Sequence, residues 1–206
     1  MIDYEKELNR EQLEVVMQAG GPLLVIAGAG SGKTRTLTYR VARLIEQGTR
    51  PDRVLLATFT NKAARSMLDR VASLIDRDIG QLWGGTFHHI AHRILRKHSD
   101  KIGYERNFSI SDGEDARQLI AACIAEAKVE TKLDKFPKAD ILAGIFSLAV
   151  NTETPLAEIV VNRYPYFSHR SDDIVRVEAL YRARKKDLNI MDFDDLLLNC
   201  RRVLSE

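Results

Sequence analysis

The chain has 206 residues, of which 45% are hydrophobic and 29% are charged, and its 31 basic side chains nearly balance 29 acidic ones. This is the composition of a globular protein, and it excludes a disordered, collagen-like or fibrous chain. The two cysteines, Cys123 and Cys200, lie far apart and belong to no CxxC pair, which excludes a disulfide scaffold and a cysteine zinc site.

The net charge of +2 conceals an asymmetry along the chain. Residues 1–104 carry 16 basic and 11 acidic side chains, whereas residues 105–206 carry 15 and 18. The basic part is compatible with a polyanionic partner, and a solvated surface is the alternative. The longest apolar run, residues 141–150, is about half the length that spans a bilayer, and the N-terminus is acidic. We therefore expect a soluble, cytoplasmic protein with no membrane contact.

The first part of the chain alternates predicted helices and strands. Helical spacing over residues 4–19 ends at two glycines, and the continuous apolar run over 23–27 predicts a strand buried on both faces. Further helices are predicted over 33–47, 61–75 and 87–98, and further strands over 54–58 and 83–86. Buried strands joined by helices predict an α/β fold, with a parallel sheet and helices on both faces.

The pattern becomes helical after residue 103. Residues 111–114 form a capping-box sequence that opens a helix, and further helices are predicted over 137–150, 155–162 and 171–187. No strand pattern is evident between 105 and 190. We therefore predict an α/β part over 1–104, an all-α insertion over 105–190, and a return to the α/β part over 191–206.

A glycine-rich segment, AGAGSGKT, follows the first predicted strand and opens a helix. Glycines at 28, 30 and 32 would keep side chains away from phosphate oxygens and permit positive φ, while the helix directs its positive end at the same anion. Lys33 would reach the β- and γ-phosphates, and the Thr34 hydroxyl would bind Mg²⁺. Alanine replaces the first glycine of the P-loop pattern. We predict a nucleotide site formed by Ala27, Gly28, Ala29, Gly30, Ser31, Gly32, Lys33 and Thr34.

Hydrolysis would also need a carboxylate at the end of a neighbouring strand, and no predicted apolar strand ends in Asp or Glu. Asp192, Asp194 and Asp195 cluster where a helix is predicted to begin, so helix capping is favoured and metal binding is the alternative.

His88 and His92 have the spacing of a zinc pair, but no third ligand accompanies them.

Five motifs occur in a characteristic order: LNREQ at 8–12, AGAGSGKT at 27–34, TFTNKAA at 58–64, GTFH at 85–88 and DFDDLL at 192–197. In this order and spacing the chain resembles the N-terminal part of the UvrD/Rep/PcrA-type superfamily 1 DNA helicases. The resemblance implies a RecA-like motor domain with a helical insertion that lies over DNA, and ATP with Mg²⁺ as cofactors. Those helicases continue into an acidic Mg²⁺-binding motif and a second motor domain. The resemblance therefore implies that this chain is a portion of a 3′ to 5′ DNA-translocating ATPase.

The resemblance also implies roles for individual residues. Gln12 would read the adenine edge and Arg35 would lie against the adenine ring. The residues implied to contact single-stranded DNA or its junctions with duplex are Phe59, Thr60, Asn61, Lys62, Thr86 and His88. Without the resemblance, Gln12 is an exposed helix residue, Phe59 is buried and Asn61 caps a helix.

We expect the chain alone to bind ATP weakly and to hydrolyse it negligibly. The resemblance implies that hydrolysis also needs a partner, the second motor domain of the parent chain. A binding module for nucleotide or DNA without turnover is the alternative. A small-molecule P-loop kinase is disfavoured, because Phe59 to Lys62 stand where an acidic residue would face the acceptor.

Overall fold

The computed structural model describes residues 2–18, 20–75, 78–130 and 136–205. Contacts group the chain into two compact units, residues 1–90 and 91–206. Within the described residues the protein is mixed α/β, mostly helical, with two small parallel sheets. No helix in this part of the chain is long and apolar enough to cross a membrane.

Among the residues described there, the first unit holds four α-helices, a 3₁₀-helix at Pro51–Arg53, two strands and the start of a fifth α-helix. The elements are α1 (Tyr4–Glu7), α2 (Arg10–Met17), α3 (Lys33–Glu46), β1 (Leu55–Thr58), α4 (Asn61–Leu74), β2 (Trp83–Thr86) and α5 (Phe87–His98). From α3 onwards these elements confirm the predicted helices and strands to within one residue.

The core of the first unit lies between α3, α4 and the small sheet. Ala42 and Ile45 of α3, Val71 of α4 and Leu56 of β1 are buried together. Strands β1 and β2 run parallel, with Leu55 opposite Trp83 and Thr58 opposite Thr86.

Two glycines of β2 permit close packing on both sides of the strand. A Cβ atom at Gly84 would lie 2.5 Å from Leu68 Cδ2 of α4, and one at Gly85 would lie 2.7 Å from His89 Cδ2 of α5. Successive strand residues face opposite sides, so the two glycines admit a different helix on each face.

The prediction of a single helix over 4–19 is wrong, because Leu8 and Asn9 are not helical and separate α1 from α2. Asn9 Oδ1 accepts a hydrogen bond from the Gln12 amide at 2.8 Å, and Gln12 Oε1 accepts one from the Asn9 amide at 3.3 Å. This capping box starts a new helix, α2, and overrides the apolar periodicity. The last residue of the predicted helix, position 19, lies outside the described residues.

The prediction of a buried strand over 23–27 is also wrong in this structure. These residues are not part of a sheet, and Leu24 and Ile26 are 84% and 90% exposed. A buried strand needs neighbouring strands to pair its amides and carbonyls, and among the described residues β1 pairs with β2 alone. Strand β1 itself is only half-buried, because Leu55 is exposed.

The second unit contains the rest of α5 and a largely helical remainder. Its further α-helices and strands are β3 (Ser109–Ile110), α6 (Gly113–Glu126), α7 (Ala139–Thr152), α8 (Leu156–Arg163), α9 (Ser171–Asp187), β4 (Ile190–Met191) and α10 (Phe193–Ser205), and 3₁₀-helices lie at Ser99–Ile102 and Pro165–Arg170. Ile120, Leu142, Val160 and Ile174 form the core of the bundle of α6 to α9. A second core joins α5 to α10 through Leu95, Phe108, Met191 and Leu196.

The expectation that no strand occurs between 105 and 190 is wrong at residues 109–110 and at residue 190, where β4 begins. Strand β3 pairs in parallel with β4, and Asn189 reinforces the junction. Its Oδ1 accepts from the Glu105 amide at 3.0 Å, and its Nδ2 donates to Asn107 Oδ1 at 3.0 Å. The segments that precede α6 and follow α9 therefore lie side by side.

Two predicted helix caps are displaced. Asp112, not Ser111, caps α6, because its Oδ1 accepts from the amides of Glu114 and Asp115. Ser171 is the first residue of α9 rather than its cap. Helices α7 and α8 begin one or two residues after the predicted prolines, and both end within two residues of the predicted positions.

Candidate nucleotide and DNA sites

The glycine-rich segment leads directly into α3. Gly30 and Gly32 have φ of +78° and +83°, so positive φ is confirmed at two of the three predicted glycines, and Gly28 does not share it. Helix α3 begins at Lys33, and no described side chain caps its N-terminus. The first-turn amides of such a helix are available to an anion. Lys33 and Thr34 are both exposed at this end.

The glycine-rich loop is closed by hydrogen bonds from two of its side chains to its own backbone carbonyl oxygens. Lys33 Nζ donates to the Gly28 oxygen at 2.6 Å and to the Ala27 oxygen at 3.1 Å. Ser31 Oγ donates to the same Gly28 oxygen at 2.8 Å. The lysine ammonium is thus held over the glycine-rich segment.

Gln12 lies against this loop although it is far away in sequence. Its Nε2 donates to the Ser31 oxygen at 3.0 Å, while its Oε1 accepts from the Asn9 amide. A Cβ atom at Gly32 would lie 2.5 Å from Gln12 Nε2, so only glycine leaves space for this contact. Gln12 lies in α2 but is half-buried, so the alternative of an exposed helix residue is wrong, and its reading of adenine stays a prediction.

Arg35 is engaged by a network that the sequence did not indicate. Its Nη2 donates to the backbone oxygen and to Oε2 of Glu7, both at 2.7 Å. The guanidinium carbon lies 5.1 Å from the centre of the Tyr39 ring, and the Tyr39 hydroxyl donates to Glu7 Oε2 at 3.0 Å. Burial and the bond to Glu7 raise the pKa of Tyr39.

A cavity of about 630 Å³ lies beside the loop. Its polar lining residues are Asn9, Glu11, Gln12, Ser31, Lys33, Thr36 and Arg40, and its apolar ones are Val15, Leu23, Val25, Ile26, Ala27 and Leu37. Its volume is within the range of small-molecule sites, roughly 300–1,000 Å³.

The predicted DNA-contact segments leave the same edge of the first sheet. Thr58 lies opposite Thr86 in the parallel register, so Phe59 and Phe87 follow at adjacent positions. Phe59 is 88% exposed, which makes the alternative of a buried phenylalanine wrong.

The polar residues of these segments lie at two helix starts. Thr60 caps α4, since its Oγ1 accepts from the Ala63 amide at 3.2 Å, so the alternative of an Asn61 cap is also wrong. Asn61 and Lys62 are exposed on the first turn of α4. Thr86 Oγ1 accepts from the His89 amide at 3.2 Å, and His88 is half-buried.

A shallow cavity of about 470 Å³ extends along α4 from this edge. It is lined by Asn61, Lys62, Arg65, Ser66 and Asp69. The sequence interpretation missed Arg65. Its helical spacing from Asn61 could have identified it, because residues four apart share one helix face.

The acidic cluster at the start of α10 is a helix cap built around a buried lysine. The Asp192 amide donates to Asp195 Oδ2 at 3.1 Å, and the Asp195 amide donates to Asp192 Oδ1 at 2.8 Å. Lys185 Nζ lies 2.6 Å from Oδ2 of both residues. The cap interpretation is confirmed for Asp192 and Asp195, whereas Asp194 Oδ1 accepts a hydrogen bond from Asn151 Nδ2 at 2.8 Å. Lys185 is the partner that the sequence did not reveal.

The protonation of this cluster follows from its burial. Burial opposes the charge of Lys185, but Asp195 and Asp192 outweigh it and raise the pKa of the lysine. Burial raises the pKa of Asp195, whereas Lys185 holds the pKa of Asp192 below its usual value despite burial.

Over the described ranges, no three or more His, Cys, Asp or Glu side chains are arranged to hold a metal ion. His92, half of the suggested zinc pair, accepts a hydrogen bond at Nε2 from Arg96 Nε at 2.9 Å.

A glycine-rich loop that presents a lysine and a threonine at the start of a long helix is typical of α/β proteins that bind nucleotide phosphates. Residues 8–206 match the family described as the UvrD/REP helicase N-terminal domain, and the chain belongs to this family. It is 39% identical over 192 residues to an ATP-dependent DNA helicase PcrA of Staphylococcus aureus (strain Mu50), covering 93% of this chain and 26% of that protein. It is 37% identical over 195 residues to the protein of the same name from Staphylococcus epidermidis (strain ATCC 35984), covering 94% of this chain and 26% of the relative. The chain thus spans about a quarter of the length of these curated relatives.

Proposed function

We propose that the chain is the ATP-binding and DNA-binding N-terminal part of a helicase that couples ATP hydrolysis to 3′ to 5′ translocation on single-stranded DNA and to duplex unwinding. In this proposal, residues 1–104 and 191–206 belong to a RecA-like motor domain, and residues 105–190 form its helical insertion. The family membership and the names of the relatives support the helicase assignment.

The observation that carries the nucleotide part is the uncapped start of α3, where Lys33 and Thr34 are exposed behind two glycines of positive φ. The residues present fit ATP with Mg²⁺. Lys33 would exchange its bonds with the Ala27 and Gly28 carbonyls for phosphate oxygens, and the Thr34 hydroxyl would bind Mg²⁺. The ion supplies positive charge that neutralises the phosphates. Gln12 and Arg35 would contact the adenine.

The observation that favours DNA is the shared edge of β1 and β2. Phe59 is exposed there and would stack on a base, while Thr60, Asn61, Lys62, Thr86 and His88 would contact the strand. The partners in this proposal are single-stranded DNA, its junctions with duplex, and a second motor domain of the parent protein. The exposed apolar residues at 23–27 would be covered by further strands of that parent.

A titration with a fluorescent ATP analogue tests the nucleotide site. We expect Lys33→Ala to weaken binding at least tenfold, about 1.4 kcal/mol, because the phosphate loses its charged partner. Lys101→Ala removes another exposed lysine and is the matched control, with no expected effect. Equal affinities of the Lys33→Ala variant and the unaltered chain would refute the site.

ATP hydrolysis is then measured on this chain and on a longer version that includes the second motor domain, with and without single-stranded DNA. We expect turnover only from the longer protein. A robust, Lys33-dependent rate from the 206 residues would contradict this expectation, and binding without turnover by both proteins would favour a module that only binds.

Strand binding and polarity need separate measurements. Affinity for single-stranded DNA should fall with increasing salt, and Lys62→Ala should reduce the slope by about one counterion, because phosphate contacts release bound cations. The longer protein should displace a label at the 5′ end of a strand and leave a 3′ label in place. Displacement at the 3′ end would refute the polarity.

A further inference from the structure

We propose that Phe87 positions Phe59 for base stacking, so that the two rings act as one aromatic unit at the edge of the first sheet. The inference rests on the proposed binding of single-stranded DNA, and it assigns a role to a residue of the GTFH segment that the sequence interpretation passed over. The ring centroids lie 5.4 Å apart with 52° between the ring planes. This is within the range of favourable aromatic pairs.

Both rings are outside the buried cores. Phe59 is 88% exposed and Phe87 is 47% exposed. Two large apolar side chains side by side at a surface indicate a contact surface more often than a packing device, since burial in the protein gives them little stabilisation. Their neighbours on the same edge are the exposed Asn61 and Lys62, which can bind phosphates.

The register of the sheet explains why the rings meet. Phe59 directly follows Thr58, Phe87 directly follows Thr86, and these threonines are partners in the parallel ladder. Adjacent strands are about 4.8 Å apart, so side chains at equivalent positions beyond the strand ends are neighbours.

The two residues differ in how firmly their backbone is held. Phe87 is the first residue of α5, whose start is fixed by the bond from the His89 amide to Thr86 Oγ1. Phe59 precedes the cap of α4 and lies outside any helix or strand. Phe87 is therefore the fixed member of the pair, and Phe59 is the member that it orients.

The geometry also distinguishes positioning from direct contact. A base sandwiched between two rings would require parallel planes about 7 Å apart, twice the 3.4 Å stacking distance of nucleic acids. The observed tilt and separation exclude a base between the rings. A base can stack only on a face of Phe59 turned away from Phe87, so Phe87 acts through Phe59.

A double-mutant cycle tests this role. Binding of an oligo(dT) strand is measured by fluorescence anisotropy for the unaltered chain, Phe59→Ala, Phe87→Ala and the double variant. We expect Phe59→Ala to weaken binding about tenfold, a magnitude typical of one stacked base, and Phe87→Ala to weaken it about fivefold. The double variant should bind like Phe59→Ala alone, because a positioning residue has no effect once the ring that it positions is gone.

A second readout separates positioning from loss of folding. With a strand that carries 2-aminopurine, saturating amounts of Phe87→Ala should quench the fluorescence less than the unaltered chain does, whereas Lys62→Ala should quench it fully. Phe87→Tyr should restore both affinity and quenching, and thermal melting should show that all variants are folded.

Each outcome decides between the two proposals. Additive losses in the cycle, or unchanged binding and quenching by Phe87→Ala while Lys62→Ala weakens binding, would overturn the role of Phe87 and leave the proposed function intact. Absence of strand binding by the unaltered chain would overturn both.

Discussion

Replacement of Lys185 by methionine tests the buried cluster that joins α9 to α10. The side chain of Lys185 is 7% exposed, and its ammonium lies 2.6 Å from one carboxylate oxygen of each of Asp192 and Asp195. Methionine keeps most of the apolar stem and removes the charge. Two carboxylates whose side chains are only 19% and 14% exposed then remain without their cation, and breaking a buried pair in this way costs about 3–5 kcal/mol.

Other groups in the cluster determine where in this range the loss of stability should lie. The Tyr181 hydroxyl donates to Asp192 Oδ2 at 3.0 Å and is untouched by the substitution. Burial raises the pKa of Asp195, so this carboxyl can take up a proton and shed part of the repulsion. We therefore expect the lower end, about 3 kcal/mol.

The assay is urea unfolding at pH 7, followed by circular dichroism. Arg176→Met, which removes an exposed ion pair with Asp173, is the matched control and should cost at most about 1 kcal/mol. The triple variant K185M/D192N/D195N should recover most of the loss, because asparagine keeps the oxygen acceptors of the cap without the charge. A loss from Lys185→Met no larger than that of the control would refute the reasoning.

Three further predictions concern packing, capping and pH. Gly84→Ala should lower the free energy of unfolding by about 1–3 kcal/mol, since its Cβ would lie 2.5 Å from Leu68 Cδ2. Gly144 lies in the interior of α7, where an added Cβ would meet only the Tyr164 hydroxyl at 4.0 Å, so Gly144→Ala should raise the free energy of unfolding by about 0.5–1 kcal/mol. Thermal melts that rank the two variants the other way would contradict the packing argument. Asn9→Ala should cost about 1 kcal/mol, because the Gln12 backbone amide loses the Asn9 Oδ1 acceptor that caps α2. The variant should also bind the fluorescent ATP analogue more weakly, because the start of α2 that carries Gln12 is less firmly held; unchanged affinity would show that the cap does not serve the site. Above the usual lysine pKa of 10.5, the free energy of unfolding should fall as pH rises, because the raised pKa of Lys185 lets the folded state hold a proton that the unfolded state has released. Urea unfolding at pH 9 and pH 11 measures this fall, which should be smaller in Lys185→Met.

Local patterns predicted those parts of the fold that local interactions determine. The helices α3, α4 and α5 have apolar faces with clear starts and ends, and Gly48, with a φ of +98°, lies two residues after the last residue of α3. The run at 23–27 has an equally clear pattern but lacks paired neighbours here, because a buried strand depends on partners that its own residues do not encode. The pairing of β3 with β4 was missed because two residues per strand cannot show alternation.

The candidate sites divide in the same way. The glycine-rich loop is a contiguous motif, so its residues were identified without any knowledge of the fold. The contact between Gln12 and Ser31, the network of Arg35 with Glu7, and the pairing of Phe59 with Phe87 all depend on tertiary structure. Lys185 was missed for a different reason. A lysine in the last turn of a helix is normally solvated, and its burial requires two carboxylates from a later element.

The three helices that begin at the proposed binding sites differ in how their N-termini are capped. Thr60 and Thr86 cap α4 and α5. In each of these helices, one backbone amide of the first turn is therefore already bonded to the threonine side chain. Helix α3 starts after Gly32 with no cap from any side chain that the structure describes, which leaves its first-turn amides to a ligand.

In the proposed function this difference matches the two anions. ATP would be held by backbone amides and Lys33 in a fixed cradle, whereas DNA would be held by exposed side chains such as Phe59 and Lys62 at the ends of capped helices. Side-chain contacts of this kind can be released one at a time, which suits a strand that must advance past the site, while a nucleotide that triggers the advance needs a rigid site. Removal of the cap in Thr60→Ala should therefore weaken strand binding and leave the affinity for the ATP analogue unchanged, and an equal loss of both would contradict this division.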